Sequence, residues 1–363
     1  MRDPGDPRLP DRIASLARRG RLGALLGLAE RHRVLGSVAA PLRIAPAVPA
    51  EDRAGVEARL ARQAARHLRV LEELRGVADV LRGFRWFVTK GPVLAETVYP
   101  APELRAYGDL DLFVEAARFG DAVAALEEAG ARVEDRNWSL LRRDRRGQVH
   151  VRLPLGTLAD VHWHAINRGA VRDQFRLPVG ELFDRARIAH LAGVAVPIPE
   201  PTDGLLHLAL HAALSGCNRL VWLQDVAMTL RHGGVDPEAL VRRARAWGVG
   251  PSVAIVLDRT ASALEVPLGA DLLRDLYGSR ARRGWSRALA RAWPPERSIG
   301  QDPAALWAQL VRDSWPRTID AGWRRALRAA GGSPTGGKGH ASLQPAGDVA
   351  DRRAFFEGVA AQG

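Results

Sequence analysis

Two aspartates one residue apart, Asp109 and Asp111, stand in the run Asp109-Leu110-Asp111-Leu112-Phe113-Val114. In a strand the two-residue repeat turns both carboxylates to one face and Leu110 and Leu112 to the other. Like charges so placed repel, and the cost falls when a cation lies between them; hard oxygen donors at this spacing suit magnesium. A second run, Asp160-Val161-His162-Trp163-His164, alternates in the same way and puts Asp160, His162 and His164 on one face. With the two strands side by side, three carboxylates converge, a cluster able to hold two ions against triphosphate oxygens and an attacking hydroxyl. A third signal is a lysine. Of 53 basic residues only Lys90 and Lys338 are lysines, so Lys90 marks a position where a compact ammonium serves and a planar guanidinium does not. Lys338 lies in a glycine-rich stretch and carries no such implication.

These residues need elements to hold them. Residues 11–85 are rich in Ala, Leu, Arg and Glu, with apolar residues at threes and fours such as Leu60, Ala64, Leu68, Leu71 and Leu74. The pattern predicts helices, with Pro41, Pro46 and Pro49 separating a first helical pair from a longer helix that ends near Gly83. A short β-favouring run at 85–89 closes on Gly91 and Pro92; a helical turn or two at 93–99 and a second strand at 110–114 follow. Residues 121–130 read as a helix stopped by Gly130. Strands are expected near 131–134, 140–143, 148–153 and 158–164, with a hairpin turn at 144–147. After Pro197, Pro199 and Pro201 a helical pattern returns, capped by Thr202 or Asp203, and helices continue to about residue 330. Residues 331–348 hold six glycines and two prolines and too little apolar surface to offset ordering entropy, which predicts a flexible tail with a short helix after it. The expected architecture is α+β, a mixed sheet core flanked by helical regions: 1–82 helical, 83–200 core, 201–330 helical, 331–363 flexible tail.

Composition bounds the function. Hydrophobic residues make up 47% and charged residues 26% of 363, an ordinary globular balance. No apolar run reaches the 18 or so residues of a membrane span, no secretory signal is readable at the N-terminus, and the single Cys217 fits a reducing cytoplasm. The net charge of +12 invites nucleic acid, but the arginines are spread along helical stretches as solvated faces, with few aromatics beside them to stack bases. A nucleic-acid partner is therefore not expected.

The run Phe87-Val88-Thr89-Lys90-Gly91-Pro92-Val93-Leu94, then Tyr99, Pro100, Arg105, Asp109-Leu110-Asp111-Leu112 and Asp160-Val161-His162-Trp163, resembles the uncharacterised nucleotidyltransferase family of the DNA polymerase beta-like superfamily. His207, His211, Arg219, Leu220, Trp222, Leu223 and Asp225 extend the resemblance, which covers roughly residues 80–230. It implies a nucleotidyltransferase fold, magnesium, and transfer of a nucleotidyl group from a nucleoside triphosphate. It puts Asp109 and Asp111 in the metal pair, Asp160 as third carboxylate and Gly91 in the turn after the first strand. One departure stands out: the superfamily turn is commonly Gly-Ser, whereas here it is Lys90-Gly91-Pro92, and proline lacks a backbone donor. Lys90 can replace the lost attraction as a point charge. Lys90, Gly91 and Arg105 are thus expected at the nucleotide, Arg105 alternatively pairing with Asp109. His162, His211 and Asp225 are expected around the site or at the acceptor. Asp225 has the alternative of capping or pairing with an arginine such as Arg219, and the histidines that of binding zinc. The expected function is transfer to a hydroxyl of an unknown acceptor, a small molecule, peptide or protein. The rival is an inactive nucleotide- or peptide-binding accessory protein.

Overall fold

The computed structural model describes residues 8–294, 300–330, 340–343, 345–346 and 349–362. Three short helices open the chain, α1 (Leu9–Arg18), α2 (Leu22–Arg31) and α3 (Leu35–Ile44), and the long α4 (Ala50–Val80) follows. The expected pair is a trio because Pro41 lies inside α3 rather than ending it. The mixed α/β part runs β1 (Trp86–Thr89), α5 (Gly91–Thr97), β2 (Asp109–Val114), α6 (Phe119–Glu128), β3 (Arg132–Val133), α7 (Trp138–Arg143), β4 (Gln148–Arg152) and β5 (Leu158–His162). Two short helices, α8 (Gly169–Arg172) and α9 (Val179–Asp184), lead to the hairpin β6 (Arg187–Leu191) and β7 (Val194–Ile198). Helices complete the chain: α10 (Pro201–Leu214), α11 (Leu220–His232), α12 (Pro237–Trp247), α13 (Gly250–Leu264), α14 (Ala270–Tyr277), α15 (Arg280–Ala292), α16 (Pro303–Leu310), α17 (Trp315–Ala330), α18 (His340–Leu343) and α19 (Val349–Ala360). No described helix is long and apolar enough to cross a membrane.

The sheet has the order β1-β2-β5-β4-β3, antiparallel except for the parallel pair β2-β5. Register turns the alternation of the sequence into two distinct faces. Asp111 pairs with Thr89 on one side and Asp160 on the other, and Asp160 pairs with His150. The next row on that face is Phe87, Phe113, His162 and Gln148. The opposite face carries Val88, Leu110, Leu112, Val149, Val151, Ala159 and Val161, all buried with Val70, Leu74 and Val77 of α4 and with Phe119, Val123 and Leu126 of α6. Phe87 and Phe113 belong instead to a second core. It joins α1–α3 to α10–α14, with Leu35, Val38, Leu206, Leu210, Val226 and Val256 among its members. The sheet is therefore a wall between two apolar cores, and its carboxylate row faces the one that unites the two helical regions.

Four local expectations are corrected. Residues 138–143 form a helix, not a strand, because the Asn137 side chain accepts from Leu140 N at 3.0 Å and caps it. Residues 144–147 accordingly join a helix to β4 and are no hairpin turn. The cap of α10 is Glu200, whose carboxylate accepts from Asp203 N, and neither Thr202 nor Asp203. Of the tail, 331–339 lies outside the described residues, but α19 is no part of a flexible segment: Phe355 and Val359 are buried against the sheet core, and Phe355 and Phe356 meet the ring of Trp138. The hairpin β6-β7 was not anticipated; its turn, Ala192-Gly193, has both residues at positive φ, as a two-residue hairpin requires.

Candidate active site

The carboxylates are placed by the parallel pair β2-β5. Asp111 and Asp160 are register partners on one face, and Asp109 sits two residues back along β2 on the same face. All three line a cleft, open to solvent, that also holds Lys90, Gly91, Arg105 and, from the helices, His211, Trp222 and Asp225. Asp111 is 5% exposed; Asp109 and Asp160 are partly exposed.

Asp111 is the electrostatic centre. Lys90 donates from Nζ to its Oδ1 at 2.7 Å and His162 donates from Nε2 to the same oxygen at 3.2 Å. Burial pushes the Asp111 carboxyl up, but Lys90 and then His162 outweigh burial and hold it well below the usual carboxylate range. Asp160 moves the other way, raised by burial and by the Asp111 charge beside it, against the pull of His162 and His150. One charged carboxylate beside one held towards its protonated form is what a shared, under-neutralised pair produces. His150 lies 3.6 Å from Asp160 and is itself oriented by Asp135, which accepts from its Nδ1 at 2.9 Å. Below this row the rings of Phe87, Phe113 and His162 stack at 4.8 Å spacings, and His207 of α10 stands edge-on to Phe113 at 5.3 Å. Burial and the Lys90 charge hold the pKa of His207 well below the usual imidazole value.

Lys90 reaches Asp111 from an unusual backbone. It lies between β1 and α5 at φ 54°, ψ −121°, a conformation that favours glycine and costs other residues roughly 1–3 kcal/mol. Gly91 must be small: a Cβ there would come within 3.1 Å of the Tyr107 ring and 3.2 Å of the Asp109 carbonyl. The strand-to-helix turn is thus pressed against the start of β2, which delivers the ammonium to the carboxylates.

The donor set fits a divalent cation. Asp111, Asp160 and His162 each offer an atom, and the three lie within 4.8 Å of one another; the raised pKa of Asp160 is the signature of a pair that a cation would relieve. Asp109 lies outside that group, beside it in the cleft.

Arg105 lines the cleft and is held there by the protein itself. Its guanidinium is 6% exposed and donates from Nε and Nη2 to the two oxygens of Asp225 at 2.9 and 2.8 Å, and from Nη1 to the Gly91 carbonyl at 3.3 Å. Tyr99 donates to Asp225 at 2.8 Å. Arg105 and Asp225 therefore form a buried clamp between the Gly91 turn and α11, with three of the five guanidinium N–H donors engaged. Asp225 pairs with Arg105 rather than Arg219, and Asp109 has no bond to Arg105. His211 lies edge-on to Trp222 at 5.8 Å, at the cleft. The four histidines do not assemble: among the described residues, the only group with metal-ligand spacing is the one containing His162.

The model of the family described as uncharacterised nucleotidyltransferase matches residues 20–264, from α2 through α13 and across the whole site. The chain belongs to that family. The α+β architecture agrees with that membership, and the clamp, the carboxylate row and the Lys90 turn all lie inside the matched stretch. A solution structure of the antibiotic-resistance factor ANT(2'')-Ia is similar at 15% identity, covering 62% of this chain and 97% of that one with a TM-score of 0.30, too distant a likeness to bear on the site. No curated protein matches the chain.

Sequence reasoning missed Arg33 and Tyr107, and gave Tyr99 no role beyond its place in the motif. Arg33 lines the cleft from the α2–α3 corner, more than fifty residues before the motifs. Tyr99 and Tyr107 flank Arg105, and only the fold shows that their rings and hydroxyls complete its surroundings.

Proposed function

We propose that this protein moves a nucleotidyl group from a nucleoside triphosphate to a hydroxyl of an acceptor, a small molecule, peptide or protein, with magnesium. The observation that carries the reading is the register pair Asp111-Asp160 on one face of a parallel strand pair, with Asp109 on that face and Lys90 bonded to Asp111. Asp111 and Asp160 would hold one ion and Asp109, with Asp111, a second. Bound there, magnesium would withdraw charge from the phosphate oxygens and lower the pKa of the acceptor hydroxyl.

The chain's own groups do the rest. The backbone of Gly91 lets the α-phosphate approach the carboxylate row closely, since no side chain intervenes. Lys90 neutralises phosphate charge next to Asp111. The acceptor oxygen attacks the α-phosphorus in line, the bond to the bridging oxygen breaks, and pyrophosphate leaves. Asp160, on the same face as Asp111 and partly exposed to the cleft, takes the hydroxyl proton. His162 keeps Asp111 oriented, and His211 stands in the wall on which an acceptor rests. The Arg105-Asp225 clamp fixes that wall to the turn.

The test is calorimetric titration with the four nucleoside triphosphates, with and without magnesium, on wild type and on Asp109→Ala/Asp111→Ala. Magnesium-dependent binding that vanishes in the double variant, with its melting transition intact, is expected. Binding of no triphosphate by the wild type overturns the reading and leaves an accessory role.

A further inference from the structure

With Arg105 engaged by Asp225 and Lys90 by Asp111, the cleft has too few cations near the carboxylates for a ligand with about four negative charges. An arginine of its lining, and a second beside the lining residue Trp222, are placed to supply the rest. Arg33 lines the cleft alongside Lys90, Asp109 and Trp222 and is solvent-exposed. Arg219 precedes α11, and its guanidinium lies 5.5 Å from the ring centre of Trp222. The α2–α3 corner is tied to the start of α11 through one residue: His32 accepts from Leu220 N with Nδ1 and from Val221 N with its carbonyl, each at 3.2 Å. The residues adjacent to that tie are Arg33 and Arg219, so the joint brings the two arginines to neighbouring positions beside Trp222. Partial burial, and then the charge of Arg33, lower the Arg219 pKa. Among the described residues no carboxylate pairs with either, in a chain whose exposed arginines are commonly ion-paired. Two like charges kept together without a counter-charge are an anion site.

We propose that Arg33 and Arg219 form the subsite for the β- and γ-phosphates of the nucleoside triphosphate, with Trp222 holding the Arg219 guanidinium in position. This rests on the nucleotidyl-transfer reading, since the carboxylate row would take the α-phosphate end. It joins the N-terminal helices to catalysis: Arg33 comes from a segment that contributes nothing else to the cleft.

The experiment uses the full chain and the variants Arg33→Gln and Arg219→Gln, with calorimetry against magnesium-ATP, or whichever triphosphate binds best, the matching monophosphate, and inorganic pyrophosphate with and without magnesium. The expected result is about a tenfold or greater loss of affinity for triphosphate and pyrophosphate in each variant, as for a lost charge-assisted contact, with the monophosphate unchanged and the melting temperature held. Unchanged affinity for triphosphate and pyrophosphate overturns the proposal, as does an equal loss for the monophosphate. Metal-free pyrophosphate reads the arginine pair by itself. If the wild type binds pyrophosphate but no triphosphate, and the variants lose it, the anion subsite stands and only the nucleotidyl-transfer reading falls.

Discussion

Asp225 and Arg105 are buried to 2% and 6% exposure, 120 residues apart in sequence, and bonded through two nearly equal contacts. Removing one partner strands the other charge in the interior, which costs about 3–5 kcal/mol, whereas replacing both by apolar residues of similar volume costs far less. Asp225→Asn is expected to lower the melting temperature strongly, and Arg105→Met/Asp225→Leu to recover most of that loss; chemical denaturation of the three variants checks it. Lys90 poses a different case. It and a bound divalent ion would answer the same need, neutralising Asp111 beside Asp160. In Lys90→Met the carboxylates lose their ammonium, so the melting temperature is expected to fall, and millimolar magnesium to raise it by more than in the wild type. A thermal melt with and without the ion decides it, and an equal magnesium response in both proteins would count against the shared role. Lys90 was legible because one of only two lysines among 53 basic residues is conspicuous in composition. The clamp was not, since nothing local distinguishes an arginine that meets phosphate from one whose carboxylate arrives from a distant helix.

At the scale of elements, the strands that carry the carboxylates were readable, whereas the short helix α7 and the hairpin β6-β7 were not. A two-residue alternation with aspartates on one side specifies both a strand and its faces, which is why the Asp111-Asp160 row could be foreseen from two separate runs. Residues 138–143 carry two adjacent leucines, and six residues are too few for a helical period to declare itself; the Asn137 cap decides the matter. Helix α10, which supplies His207 and His211, begins at a cap of another kind. Glu200 accepts from Asp203 N and is paired with Arg243, which also meets Asp203 at 2.9 Å. Burial pushes the Glu200 carboxyl up, but Arg243 and the backbone N–H groups of Thr202 and Asp203 pull it below the ordinary glutamate value of 4.5. A depressed folded-state pKa stabilises above the unfolded value, and the contribution fades as pH falls through the folded one. Glu200→Gln is therefore expected to cost about 1 kcal/mol at neutral pH, in the range of a lost cap, with the difference from wild type shrinking below pH 4.5. Urea denaturation of both proteins across pH 3–7, spanning that value, measures it; a constant difference would show that the carboxylate charge is immaterial at the cap.

The whole molecule is organised by a sheet with an apolar core on either side, and only one of those sides carries the chemistry. On the opposite side α19 closes the sheet core: Phe355 is 3% exposed, Phe356 lies 5.9 Å ring to ring from Phe119, and Phe355 lies 5.9 Å from Trp138. Arg352 adds an ion pair to Glu127 of α6, and Arg142 of α7 bonds Asp351 at 2.8 Å. Sequence alone hid this docking because α19 follows a glycine-rich stretch, and a short apolar cluster beyond such a stretch has no visible surface to bury against. The arrangement separates stability from the site. Phe355→Ala removes a buried ring and should destabilise by about 3–5 kcal/mol, while Asp111, Asp160 and Lys90 lie across the sheet from it and keep their partners. The expected outcome is a marked fall in the denaturation midpoint with affinity for the best-bound triphosphate unchanged at temperatures well below the transition. Loss of affinity in a still-folded Phe355→Ala protein would mean that the sheet transmits strain from the α19 side to the carboxylate row. Hydrogen exchange then locates the path: a sheet that remains rigid protects β2 and β5 as in the wild type, whereas a transmitted disturbance opens β5, the strand that carries both Asp160 and His162.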